Sequence, residues 1–202
     1  MTDRQPHPVS SASGTQPGSL PSGPVPPGPV LAHNLLVCQA LFERFLAGFD
    51  EASRTRQGPG LPNHLAWTLG HLALTAHRCT DRVLGADGPG TLPAEDFLPG
   101  SVGDADRYGA EGVAFGSTPV DDPSRYPTLA RGLAIMHAAH ERLAEALRRA
   151  DAPALARTTP WGAGQTTVAD LALRMGFHVA THAGQIIDLR RALGLGPVLG
   201  GR

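Results

Sequence analysis

Two histidines, His178 and His182, stand four positions apart in Phe177-His178-Val179-Ala180-Thr181-His182-Ala183-Gly184-Gln185-Ile186-Ile187. In a helix that spacing puts them one turn apart on one face, ~5–6 Å between Cβ atoms, close enough to share a metal ion. A site needs a third ligand from elsewhere. His71, in Trp67-Thr68-Leu69-Gly70-His71-Leu72 and inside a second helical pattern, is the candidate. Neutral imidazole suits zinc, nickel, copper and iron, and this arrangement leaves an open coordination position. An ion held so acts as a Lewis acid or lowers the pKa of a bound water or thiol.

Other chemistries fit less well. No Glu-x-x-His occurs, as a di-iron bundle would need, and the His140-Glu141 start of a zincin motif fails because position 144 is Ala. All 17 basic residues are Arg, so the Walker lysine, the Schiff-base lysine and the Ser-x-x-Lys nucleophile are excluded. Against 18 acidic residues they leave a net charge of −1, with no footprint for nucleic acid or an anionic membrane. Cys38 and Cys79 form no Cys-x-x-Cys and read as small core residues. No apolar run has spanning length and no signal peptide is visible, so the expected setting is the cytoplasm.

The elements that must position these residues follow from periodicity. Residues 1–29 are Pro, Gly and Ser with little to bury, and are expected to be a disordered tail. Residues 30–202 are expected to form one domain. Leu31, Leu35, Cys38, Phe42, Phe45 and Phe49 predict a first helix of about five turns. A second restarts at Leu61-Pro62-Asn63 and runs to about Leu84, with Leu65, Leu69, Leu72, Ala76, Cys79 and Val83 as its seam. His71 lies one residue off that seam, and His64, two turns below at ~10 Å, cannot reach the same ion. Gly70 inside the helix costs ~1 kcal/mol relative to Ala and points to a close approach.

The stretch 86–123 reads first as a crossover, allowing parallel second and third helices, and second as a substrate lid. Helix three is predicted over about Ser124 to Ala150, with His140 in a core slot and His137 on the surface. Residues 158–164 read as a loop before Thr167-Val168-Ala169-Asp170, a capping box with Asp in place of Glu. Helix four continues to about Leu193, its face of Leu171, Met175, His178, His182, Gln185 and Leu189 turned inward. Four amphipathic helices without a convincing strand predict an all-α bundle.

Leu69-Gly70-His71-Leu72 together with His178-x-x-x-His182-x-Gly184-Gln185-Ile186 resembles the DinB/YfiT-like superfamily, over about residues 30 to 197. The resemblance implies an up-down-down-up four-helix bundle and a triad of His71, His178 and His182 on one divalent ion, often nickel or zinc. It further implies a low-molecular-weight thiol such as bacillithiol or mycothiol, a small-molecule electrophile as partner, and a homodimer. Two functions follow: a metal-dependent thiol S-transferase or hydrolase in detoxification, or a metal-binding stress-response protein without turnover. A pocket lined by the 86–123 connection and Trp161 is the feature that would separate them. Gln185, one turn past His182, is placed to hydrogen-bond behind the ligands.

Overall fold

A computed structural model of the chain describes residues 27–85 and 92–198. The expected tail therefore lies outside the described residues as far as position 26, and the chain is helical from Gly28 onward. Helix α1 spans Gly28–Arg44 and carries a proline in its first turn, where no backbone donor is needed. It stops short of the expected Phe49. Leu46 and Phe49 donate their N–H groups three residues back, to Glu43 and Leu46, and Gly48 takes φ +86°, so tight turns replace the last helical turn. Phe49 is nonetheless buried.

Helix α2 spans Leu65–Leu84 and closes on Gly85 at φ +91°. It begins later than Leu61 because His64 is its N-cap: the ring Nδ1 accepts the Trp67 N–H at 3.1 Å. Apart from Thr75, Arg78, Arg82 and Leu84, every residue of α2 is buried, because helices cover one face and the following connection covers the other.

That connection is neither a bare crossover nor a free lid. Within it β1, Phe97–Leu98, pairs in parallel with β2, Tyr108–Gly109, and Phe97, Tyr108 and Val113 are buried against α2. A 3-10 turn at Pro123–Arg125 precedes α3, Leu129–Arg149, which Thr128 caps. The expected start at Ser124 fails because Tyr126, before Pro127, is held extended at φ −134°, ψ 151°. The short α4, Ala152–Ala156, leads into a hairpin of β3, Thr158–Trp161, and β4, Gly164–Thr167, turned by Gly162 at φ +60°. This hairpin corrects the reading of 158–164 as loop and of the chain as free of strands. Helix α5, Val168–Ala192, starts where the capping box placed it, Thr167 Oγ1 accepting the Asp170 N–H at 3.1 Å.

The chain is thus mostly helical, with four long helices packed around one core. Between α1 and α3, His140 donates to Gln39 Oε1 at 2.8 Å and His137 meets Glu43 Oε1 at 2.7 Å. Between α2 and α3, Leu69 lies beside Gly132, and Arg142 donates to His77 Nδ1 at 3.1 Å and Asp81 at 2.8 Å. Between α1 and α5, Asn34 and Cys38 lie against Gly176, and Arg190 donates to Phe45 O at 3.0 Å. No described helix is long and apolar enough to cross a membrane.

Gly70 answers to the close approach its position suggested. A Cβ there would come within 2.5 Å of the Tyr108 ring and 2.9 Å of Val113 Cγ1. Gly70→Ala is therefore expected to overpack this contact and lower stability by about 1–3 kcal/mol. Gly184→Ala, on the same protein but facing open space in exposed helix, should gain up to ~1 kcal/mol. Urea midpoints of the two variants check the opposite signs.

Candidate metal centre

The three histidines named by the sequence meet. His71 Nε2 lies 3.1 Å from His178 Nε2, and His182 Nε2 lies 3.0 Å from the same atom. Their ligand atoms all fall within 4.8 Å of one another, an arrangement that can hold a metal ion. Nitrogens at 2.0–2.1 Å from a tetrahedral ion would stand about 3.3 Å apart, so the spacing fits with little adjustment. His182 and His71 are buried, and His178 is partly so.

Hydrogen bonding alone does not satisfy these rings. Val113 O can only accept, so the 2.8 Å contact from His71 Nδ1 fixes the proton on Nδ1 and leaves a lone pair on Nε2. His178 Nε2 faces two neighbours with one valence. If it carries a proton, that proton reaches one partner well; if it does not, two lone pairs meet. Adding a proton to any ring is disfavoured: burial first, then the neighbouring rings, hold His178 near 4 and His182 near 3. Burial likewise lowers His71, opposed by the Val113 carbonyl and reinforced by the Arg78 charge. Three neutral imidazoles with converging lone pairs are what a divalent cation binds.

The parts that hold His71 come largely from outside its helix. Trp67, one turn earlier, stacks on its ring at 4.6 Å between centroids and 11° between planes. The indole N–H is itself tied to Ser117 Oγ at 2.9 Å, and Ser117 donates to Gly112 O at 2.9 Å. The connection thus supplies both the carbonyl that sets the tautomer and the hydroxyl that fixes the stacking ring. Histidine ligands characteristically need such outer partners.

A sequence profile of the DinB superfamily matches residues 34–186, which contain all three histidines. The chain belongs to the DinB superfamily. Its fold is similar to the crystal structure of a conserved protein from Enterococcus faecalis, with a TM-score of 0.61 and 17% identity, covering 82% of this chain and 96% of that one. No curated protein matches the chain.

Other residues of this DinB-superfamily chain fall into place around the triad. Gln185 reaches Asn63 Nδ2 at 3.4 Å, and its amide partly offsets the lowering of the His182 pKa without a well-formed hydrogen bond to Nδ1. Nδ1 of His178 and of His182 has no partner among the described residues. His140 is fully buried and bridges α3 to α1 through Gln39, outside the triad. His137 is exposed, as its place on the helix predicted. Cys79 is buried and burial pushes its thiol pKa far up, which fits a core residue and not a nucleophile. Sequence reasoning missed Val113, Ser117 and the N-cap role of His64. Only Trp67, one turn before His71, carried a readable signal.

The triad opens into a cleft of about 980 Å³ to which His71 and His178 contribute, together with Phe115 of the connection and Trp161 of the hairpin. Of the residues expected to line a substrate pocket, Phe115 of the 86–123 connection and Trp161 line this cleft.

Away from the triad, burial lowers His64 and His77 to about 4 and His140 to about 3. The unfolded chain takes up these protons near pH 6.5 and the folded chain does not, so stability is full above pH 6.5 and falls as pH drops toward 4. Metal-free protein should hold a constant Tm from pH 8 to 7 and lose it steadily between pH 6.5 and 5, above the range where carboxylates titrate. His64→Asn, which keeps an N-cap acceptor, should show a shallower loss. A Tm unchanged across that window would refute the assignment.

Proposed function

We propose that His71, His178 and His182 hold one divalent ion, zinc or nickel, and that the chain is a metal-dependent thiol S-transferase. The convergence of three Nε2 atoms beside a cleft that His71 and His178 line carries this reading. An ion bound there supplies positive charge that lowers the pKa of a thiol or water reaching its open position. The chain's own residues do the rest. The Val113 carbonyl and the Trp67 ring keep His71 aimed, and Phe115 and Trp161 offer aromatic surface to an apolar electrophile. The thiol would give up its proton to water in the open cleft, its sulfur would bond to the electrophilic carbon, and the leaving group would depart with the bonding electrons. Hydrolysis is the same chemistry with water in place of the thiol. A reduced low-molecular-weight thiol goes with a cytoplasmic setting.

We also propose the up-down-down-up order for the four long helices. Contacts rise in step between α1 and α5 and between α2 and α3, and run in opposite order between α1 and α3. The long connection after α2 is the crossover that such an order requires.

Two measurements test the function. Zinc at 1,000-fold excess over Kd should stabilise the protein by about 4 kcal/mol, read as a rise in Tm, and His178→Ala should abolish the rise. Metal-loaded protein should accelerate conjugation of bacillithiol or mycothiol to chlorodinitrobenzene, and His178→Ala should not. Zinc stabilisation with equal conjugation rates in both proteins would leave a metal-binding protein without turnover.

A further inference from the structure

The cleft beside the triad has a charge pattern that the metal reading does not use. Its lining includes Arg78 and Arg82 from α2 and Arg174 from α5, and contains no Asp or Glu among the described residues. Arg82 is already engaged, but neither Arg78 nor Arg174 makes a hydrogen bond or ion pair with another described residue. Arg78 is only partly exposed and its charge is felt at His71. The acidic residues nearest in sequence are committed elsewhere, Asp81 to Arg142 and Asp170 to the Thr167 cap.

Helix geometry sets the range. Arg78 lies seven residues beyond His71, about 10 Å along α2, and Arg174 lies four residues before His178, about 6 Å along α5. Asn63 meets Gln185 and His71 meets His178, so α2 and α5 run in opposite directions and both arginines fall on the same side of the triad. Phe115 and Phe177, exposed by 95% and 75%, and Trp161 border the same space. A guanidinium matches a carboxylate in a paired geometry, and exposed aromatic surface beside it favours an apolar spacer.

We infer that the cleft takes an organic carboxylate whose reactive end reaches the triad and whose carboxylate, about 6–10 Å away, pairs with Arg78 and Arg174. This rests on the metal-centre reading for where the reactive end goes. The arginines act as the anchor and the aromatic rim covers the spacer. A neutral ligand of the same length would leave both guanidinium groups of the cleft without a counter-charge, so the anchor discriminates between them.

The test compares 6-mercaptohexanoate with 6-mercaptohexan-1-ol on cobalt(II)-loaded protein, reading the sulfur-to-cobalt charge-transfer band. The acid should bind about tenfold or more tightly than the alcohol, the range expected of a charge-assisted pair. Arg78→Gln and Arg174→Gln should each cut that preference at least threefold, measured at saturating cobalt, while alcohol binding stays at the wild-type value. Equal binding of acid and alcohol to a protein that does take up cobalt would overturn the inference and spare the metal site. If no cobalt is bound, the metal reading fails. The anchor is then decided on metal-free protein by quenching of tryptophan emission with hexanoate against hexan-1-ol. Preference for hexanoate that Arg78→Gln removes would support the anchor, and no preference would overturn it.

Discussion

One hydrogen bond constrains the centre more than any other: the Nδ1–H of His71 on the carbonyl of Val113. A backbone carbonyl cannot change its role, so the proton cannot leave Nδ1 without stranding a buried acceptor, which costs about 1–3 kcal/mol. The Nε2 lone pair is therefore fixed toward His178 and His182 before any ligand arrives. Because burial also keeps the other two rings neutral at pH 7, the site is prepared for a cation other than the proton.

The connection between α2 and α3 is where this constraint is paid out in structure. Its carbonyl at Val113 has to sit beside a helix, and a helix presents side chains that would hold it away. Gly70 removes the one side chain in the path, and Tyr108 fills the resulting groove, reaching across to Gly132 on α3. The two glycines on facing helices therefore make room for one side chain, Gly70 for the ring of Tyr108 and Gly132 for its hydroxyl. Trp67 and Ser117 then tie the same segment to His71 from the other side. His64 adds a third tie: its Nδ1 caps α2, so its Nε2–H is the donor to Val120 O at 3.1 Å. One segment that periodicity leaves blank thus holds helix start, ligand ring and stacking partner in register.

What could be read beforehand divides along the same line. The triad was legible because ligand spacing on one helix is a local property, and His71 because Gly70 marks an unusual neighbour. The four long helices were legible from apolar seams, with Thr167 and Gly85 marking ends correctly. The ends that were misplaced depend on single residues acting against the pattern: Gly48 after α1, His64 before α2, and the Tyr126–Pro127 pair before α3. The β1–β2 contact and the Val113 carbonyl were not legible at all. A backbone acceptor has no side-chain signature, and two-residue strands are too short for alternation to register.

The distribution of charge links the proposed metal site to the proposed anionic ligand. The chain as a whole is nearly neutral, at a net −1, but its described carboxylates lie outside the cleft, some paired along outer helix faces, as in Arg148 with Glu141 and Glu145 or Arg191 with Asp188. The cleft is left with arginines and neutral imidazoles. A divalent ion joining them would raise the local positive charge further. On the proposed reading, the ligand best able to offset that charge would bring negative groups at both ends: one ionisable at the ion, and one paired with Arg78 and Arg174. On the proposed reading, a thiol that also carries a carboxylate would have this form, whereas water would meet only the first requirement, and on that ground we favour thiol transfer over hydrolysis.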